Sequence, residues 1–258
     1  NVLGTDTLGS RSTAIGHGAL FAQNFTTATD TYNTAVGYNA GSAVTTGQFN
    51  TLIGGLSGDA LTTGAQNVAI GYAALTTDDL GSHSVAVGPS ALFSQNFATA
   101  TNSYNTAVGS AAGGAVTTGV FNTLMGALAG DALTDADYNI AIGGNVLGTD
   151  TLGSRSTAIG HGALFAQNFT TATDTYNTAV GYNAGSAVTT GLGNTLTGGL
   201  AGDALTDADY NTVFGYNALS SDTLGSRSTA IGIAALFTQN LTTATDSHNT
   251  AVGNLAGY

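Results

Sequence analysis

Along the whole chain one short phrase recurs: a polar residue, three positions where β-branched and small side chains alternate, then glycine, as in Asn33, Thr34, Ala35, Val36, Gly37. Alternation with a period of two, stopped by glycine, predicts a short β-strand followed by a turn. The residue before the glycine runs Ile15, Val36, Ile53, Ile70, Val87, Val108, and the residue two places earlier is Thr or Val in the same copies. These β-branched columns are expected to face inward, with the small residue between them outside.

The closing glycines are Gly16, Gly37, Gly54, Gly71, Gly88, Gly109, Gly126, Gly143, Gly160, Gly181, Gly198, Gly215, Gly232 and Gly253, spaced by 17 residues with a 21-residue step once in four, so the pattern repeats every 72. Residues 1–47 and 145–191 are identical. A strict short period means one unit stacked on itself. With one strand per coil and no room for a crossover helix, the fold class is all-β: a parallel β-solenoid of about 14 coils in a single continuous array over 1–258, rungs ~4.8 Å apart. No capping unit is read at either end, which predicts a segment of a longer array.

The polar residue that opens the phrase is Asn33, Asn50, Asn67, Asn105, Asn122, Asn139, Asn177, Asn194, Asn211 and Asn249, with Ser12, Ser84, Ser156 and Ser228 in the other four coils. Stacked at rung spacing, this column is either a hydrogen-bonded polar ladder or a run of turn residues. One position upstream stand Arg11, Tyr32, Phe49, Gln66, His83 and their repeats, nearly all planar, which suits face-to-face stacking or a binding stripe for sugars or a partner. The four extra residues of each long coil fall in 25–31, 97–103, 169–175 and 241–247. They predict a solvated, recurring loop and the candidate contact surface, with Phe25, Thr29, Asp30, Phe97, Asn102, Phe169, Asp174 and Asp246 as its residues.

Composition narrows the function. Gly is abundant (38), cysteine is absent, and net charge is −12 from 15 acids and three cations, which argues against nucleic-acid partners. No apolar run approaches the ~20 residues of a membrane helix, so no membrane insertion by these residues is expected. Asp131, Asp135 and Asp137 recur as Asp203, Asp207 and Asp209, weak candidates for calcium, or a solvated acidic edge. His17, His83, His161 and His248 share no motif with a nucleophile, so catalytic residues are none and the chain is expected not to be an enzyme. No organic cofactor is expected. Asn24, Asn168 and Asn240 open Asn-x-Thr sequons at the base of the long loops.

The phrases Asn-Thr-Ala-Val-Gly and Ser-Thr-Ala-Ile-Gly resemble the head repeats of trimeric autotransporter adhesins in all fourteen coils, and the fuller phrase from Asn177 with Thr189 and Thr190 is similar to 17-residue repeats of phage tail fibres and long surface proteins. The resemblance implies a left-handed β-roll, a homotrimer, an extracellular location on a cell surface or virion fibre, and a role in attachment or as a rigid spacer. Two other readings stand beside it: an ice-binding solenoid built on Thr45, Thr46, Thr62, Thr63, Thr117, Thr118, Thr189 and Thr190, and a calcium-stabilised repeat lectin.

Overall fold

Three-residue strands form wherever the phrase occurs, from Thr13–Ile15 and Thr34–Val36 through Thr250–Val252. In the computed structural model, which describes residues 1–258, neighbouring coils pair these strands parallel and in register: Thr34 beside Thr51, Ala35 beside Leu52, Val36 beside Ile53. The chain is an all-β, helix-free parallel β-solenoid of about fourteen turns, seven in each of two compact units, 1–127 and 128–258.

The facing of the strands is the reverse of the one expected from their β-branched columns. The middle residue lies inside: Ala35, Leu52, Ala69, Leu124, Ala179, Leu196 and Val213 are fully buried. The flanking residues point out, with Ile15 and Phe214 each 60% exposed and Val252 66%. In a three-residue strand with period two, one position faces in and two face out. The narrow interior takes the single small or leucine side chain, and both β-branched columns are left on the outer face.

Each coil turns at left-handed backbone positions. In the second coil these are Gly37 (φ 146), Asn39 (φ 52), Gly41 (φ 59) and Phe49 (φ 58). At Gly37 the reason is close approach: a Cβ would stand 2.4 Å from the carbonyl oxygen of Gly54 in the next coil, a clash no side chain can escape.

The interior follows a second rhythm. Four residues after the closing glycine stands either a buried leucine (Leu20, Leu75, Leu92, Leu147) or a glycine (Gly41, Gly58, Gly113, Gly130). Where it is glycine, the residue three places on is apolar (Val44, Leu61, Val116, Leu133). Where it is leucine, that residue is polar (Gln23, Asp78, Gln95, Asp150). The two choices conserve volume: a Cβ on Gly41 would meet Leu52 at 2.5 Å and Leu20 at 3.2 Å. The apolar filling therefore shifts by three residues in alternate pairs of coils.

Candidate functional site

Except for Asn249, the asparagine column lies inside the solenoid and is hydrogen-bonded. Asn50 donates its backbone N–H to Oδ1 of Asn33 in the previous coil (2.9 Å) and its side-chain Nδ2 to the carbonyl of Gly64 (2.9 Å), fourteen residues on. One bond ties neighbouring coils together and the other closes the coil on itself. The same pairs recur at Asn67, Asn194 and Asn211, while Asn105, Asn139 and Asn177 receive the next coil's N–H and close on Gly119, Gly153 and Gly191. Asn122 binds Asn105, and Asn249, in the last coil, is exposed and donates only to Gln239 Oε1 at 2.7 Å. A buried amide that satisfies the backbone on both sides contributes far more than a turn residue would.

Serine replaces asparagine once in four coils, and there the amide comes from elsewhere. Gln167 donates to Ser156 Oγ (2.8 Å) and Asp150 Oδ2 (2.5 Å), and its Oε1 accepts from Asn177 (2.9 Å). Asp150 also accepts from the backbone N–H groups of Gly153 and Phe169. The sets Asp6 with Gln23, Asp78 with Gln95, and Asp222 with Gln239 repeat this arrangement. At Asp78, burial pushes the carboxyl above its usual range, against the lowering effect of Gln95 and the N–H groups of Gly81 and Phe97. Sequence reasoning missed this network. Its signal is the coincidence of the serine, the glutamine, the aspartate and the long coil, all at 72-residue spacing.

The long coils are more structured than a solvated loop. Phe25, Phe97 and Phe169 are 4–7% exposed and anchor the insertion to the core, so they are unavailable as contact residues. Thr29–Asp30 pairs with Gly9–Ser10, Thr101–Asn102 with Gly81–Ser82, Thr173–Asp174 with Gly153–Ser154, and Thr245–Asp246 with Gly225–Ser226. The exposed tips are reduced to residues such as Thr26, Thr27 and Ala28. Asp30, Asp174 and Asp246 form ion pairs with Arg11, Arg155 and Arg227 of the preceding coil at 3.1, 2.9 and 3.0 Å. In the second super-repeat Asn102 stands in the aspartate's place and His83 in the arginine's, so both charges are absent together. Asp174 holds the Arg155 guanidinium above its ordinary value, through their hydrogen bond first.

The planar column is a stacked ladder on the outside of a corner. Tyr32 lies on Phe49 with ring centroids 5.5 Å apart, Tyr104 on Phe121 at 5.2 Å, and His83 on Tyr104 at 4.9 Å. Arg11 lies over Tyr32, Arg155 over Tyr138 and Arg227 over Tyr210, at 4.8–5.4 Å from the centroids. Every member between Arg11 and Arg227 sits in left-handed backbone, Gly193 included (φ 65). Stacking offsets part of that conformational cost.

The acidic triplets are not brought together. Asp207 accepts from the Thr190 hydroxyl (2.7 Å), Asp209 from the Leu192 N–H (2.7 Å), and Asp203 Oδ1 is buried without a partner. Burial raises the carboxyls of Asp131 and Asp203 above the usual range. Asp135 is exposed and Asp137 donates its N–H to Ser154, so no group of three or more His or Asp side chains is gathered for a metal. The histidines are likewise dispersed. His17 stacks on Tyr38 and His161 on Tyr182, each beside an open cleft: one of about 530 Å³ bordered by Phe21, Asn39 and Ser42, the other of about 330 Å³ bordered by Phe165, Asn183 and Ser186.

No protein-family model, curated protein or solved structure matches the chain.

Proposed function

We propose that this chain is a non-enzymatic structural and adhesive element of an extracellular fibre, of the kind found in surface adhesins or viral tail fibres, and that it works as a homotrimer. The observation that carries the reading is the outer face of the strands. Ile15, Ile53, Met125, Phe214, Ile231 and Val252 leave an apolar column along each unit, 37–66% exposed. An exposed apolar stripe, interrupted here only at Thr197, favours association, and copies of the same repeat present the same stripe at the same spacing. Attachment is assigned to the corner that carries the planar ladder, the Arg–Asp pairs and the long-coil tips, where many weak contacts add through multivalency.

The threonine pairs support this reading over ice binding. Thr45, Thr62, Thr134, Thr189 and Thr206 each donate their hydroxyl to a carbonyl of the next coil and Thr190 donates to Asp207, so four of the eight candidate ice-face threonines (Thr45, Thr62, Thr189, Thr190) have their hydroxyls committed within the array. Light scattering on the folded chain tests the assembly: a mass three times 25.3 kDa is expected, and a stable monomer overturns it.

A further inference from the structure

The residue immediately after each closing glycine forms an exposed column of its own. In the first 72-residue repeat it reads His17, Tyr38, Gly55, Tyr72, and in the third His161, Tyr182, Gly199, Tyr216; the second and fourth carry Pro89, Ser110, Ala127, Gly144 and Ile233, Asn254 instead. The four tyrosines are 55–63% exposed. Two rungs separate the members of each tyrosine pair, about 9.6 Å, and the coil between them carries no side chain.

The glycines in these gaps are not required by the backbone. Neither Gly55 nor Gly199 has a positive φ. A Cβ at Gly55 would meet only the Tyr72 ring, at 3.6 Å, and one at Gly199 only the Tyr216 ring, at 3.4 Å, both ordinary contact. Other glycines facing a ring of the next coil behave differently: Tyr210 has closed over Gly193, and Phe165 over Gly148, to 2.7 and 2.9 Å from where a Cβ would be. At Gly55 and Gly199 the ring of the next coil rests at ordinary contact distance from the Cβ position and does not close over the glycine.

We infer that Tyr38 with Tyr72, and Tyr182 with Tyr216, are clamps that each take one sugar ring of a glycan chain. The geometry selects the class. A group midway in the gap lies ~4.8 Å from each tyrosine rung. That is wide for a flat aromatic group in face contact, and it suits a pyranose chair, whose C–H bonds stand off both faces and meet the negative π faces of the rings. His17 stacks on Tyr38 at 5.6 Å and His161 on Tyr182 at 5.8 Å, each from the preceding coil, so one face of these tyrosines is covered and the other is turned to the gap. The inference goes beyond the fibre reading and holds for monomer or trimer, since each clamp lies within one unit.

The test is calorimetric titration of the full chain with cellohexaose, chitohexaose and maltohexaose, with tyrosine amide as a flat aromatic control. At least one saccharide is expected to bind at millimolar concentration with two sites per chain. Gly55→Tyr with Gly199→Tyr fills both gaps and is expected to keep or raise the thermal midpoint while weakening binding at least about tenfold. Tyr38→Ala with Tyr182→Ala, at exposed positions, is expected to weaken it comparably without unfolding the chain. The inference is overturned if none of the saccharides binds, if only tyrosine amide binds, if both double variants bind like the parent, or if filling the gaps changes the oligomeric mass with no effect on saccharide.

Discussion

Replacing Asn194 by alanine puts the buried amide column to its most direct test. The side chain is fully buried; it donates to the carbonyl of Ala208 at 2.7 Å and accepts from the Asn211 N–H at 3.0 Å. Truncation leaves that carbonyl and that N–H inside the solenoid without partners, at about 1–3 kcal/mol each. A total of roughly 3 kcal/mol is expected once the cavity admits some solvent. With a urea slope of ~2 kcal/mol/M, the unfolding midpoint falls by more than about 1 M. Hydrogen exchange gives a local reading, because a loss of this size lowers protection of the Asn211 amide by about 100-fold. Asn249→Ala is the internal control: the side chain is exposed and makes one bond, so its cost stays below about 1 kcal/mol. If Asn194→Ala loses less than about 1 kcal/mol and Asn211 keeps its protection, the column is a packing feature and the hydrogen-bond accounting is wrong.

Gly181→Ala should cost about 3 kcal/mol or more, because its Cβ would lie 2.4 Å from the Gly198 carbonyl oxygen, whereas Gly199→Ala, with an open position, should change the thermal midpoint little. Phe169→Ala removes the anchor of a long coil at about 3 kcal/mol by urea unfolding, while Thr171→Ala at the exposed tip is silent. Asp131 and Asp203 have carboxyls raised by burial, so their contribution to stability is complete below the unfolded value of 3.8 and is lost as pH rises through the folded value. Thermal midpoints measured downward from neutral pH should therefore rise, and Asp203→Ser should flatten the profile. Arg155→Ala, which breaks an exposed pair, should leave the thermal midpoint nearly unchanged.

The period, the parallel pairing and the strand positions were legible because glycine spacing and alternation are local signals. The facing of the strands was not, since alternation fixes which residues share a side and leaves open which side is inside. A further clue lay in the middle column, which is Ala, Leu or Val in every coil, while the columns beside it admit threonine and, at Thr197, a polar residue where Ile15 and Val36 stand elsewhere. Phe25 read as part of a solvated loop because its neighbours are Thr, Ala and Asp; its burial depends on the second strand pair, which spans twenty residues and leaves no local trace. The tyrosine clamps escaped notice for a related reason: a glycine that creates space looks the same in sequence as one that permits a turn.

The alternation of leucine between two interior positions sets how such a chain can change length. A single 17-residue coil looks interchangeable from outside, yet inside it belongs to one of four kinds, ordered so that an aspartate layer is followed by a glutamine layer and both are flanked by apolar ones. Excising residues 67–83 would leave the folded outline intact and remove Asp78, stranding Gln95 against Leu61. Duplication or loss of 72 residues meets no such mismatch. Growth and shrinkage of this array are therefore quantised in steps of four coils, a restriction imposed by the buried polar layers rather than by the strands.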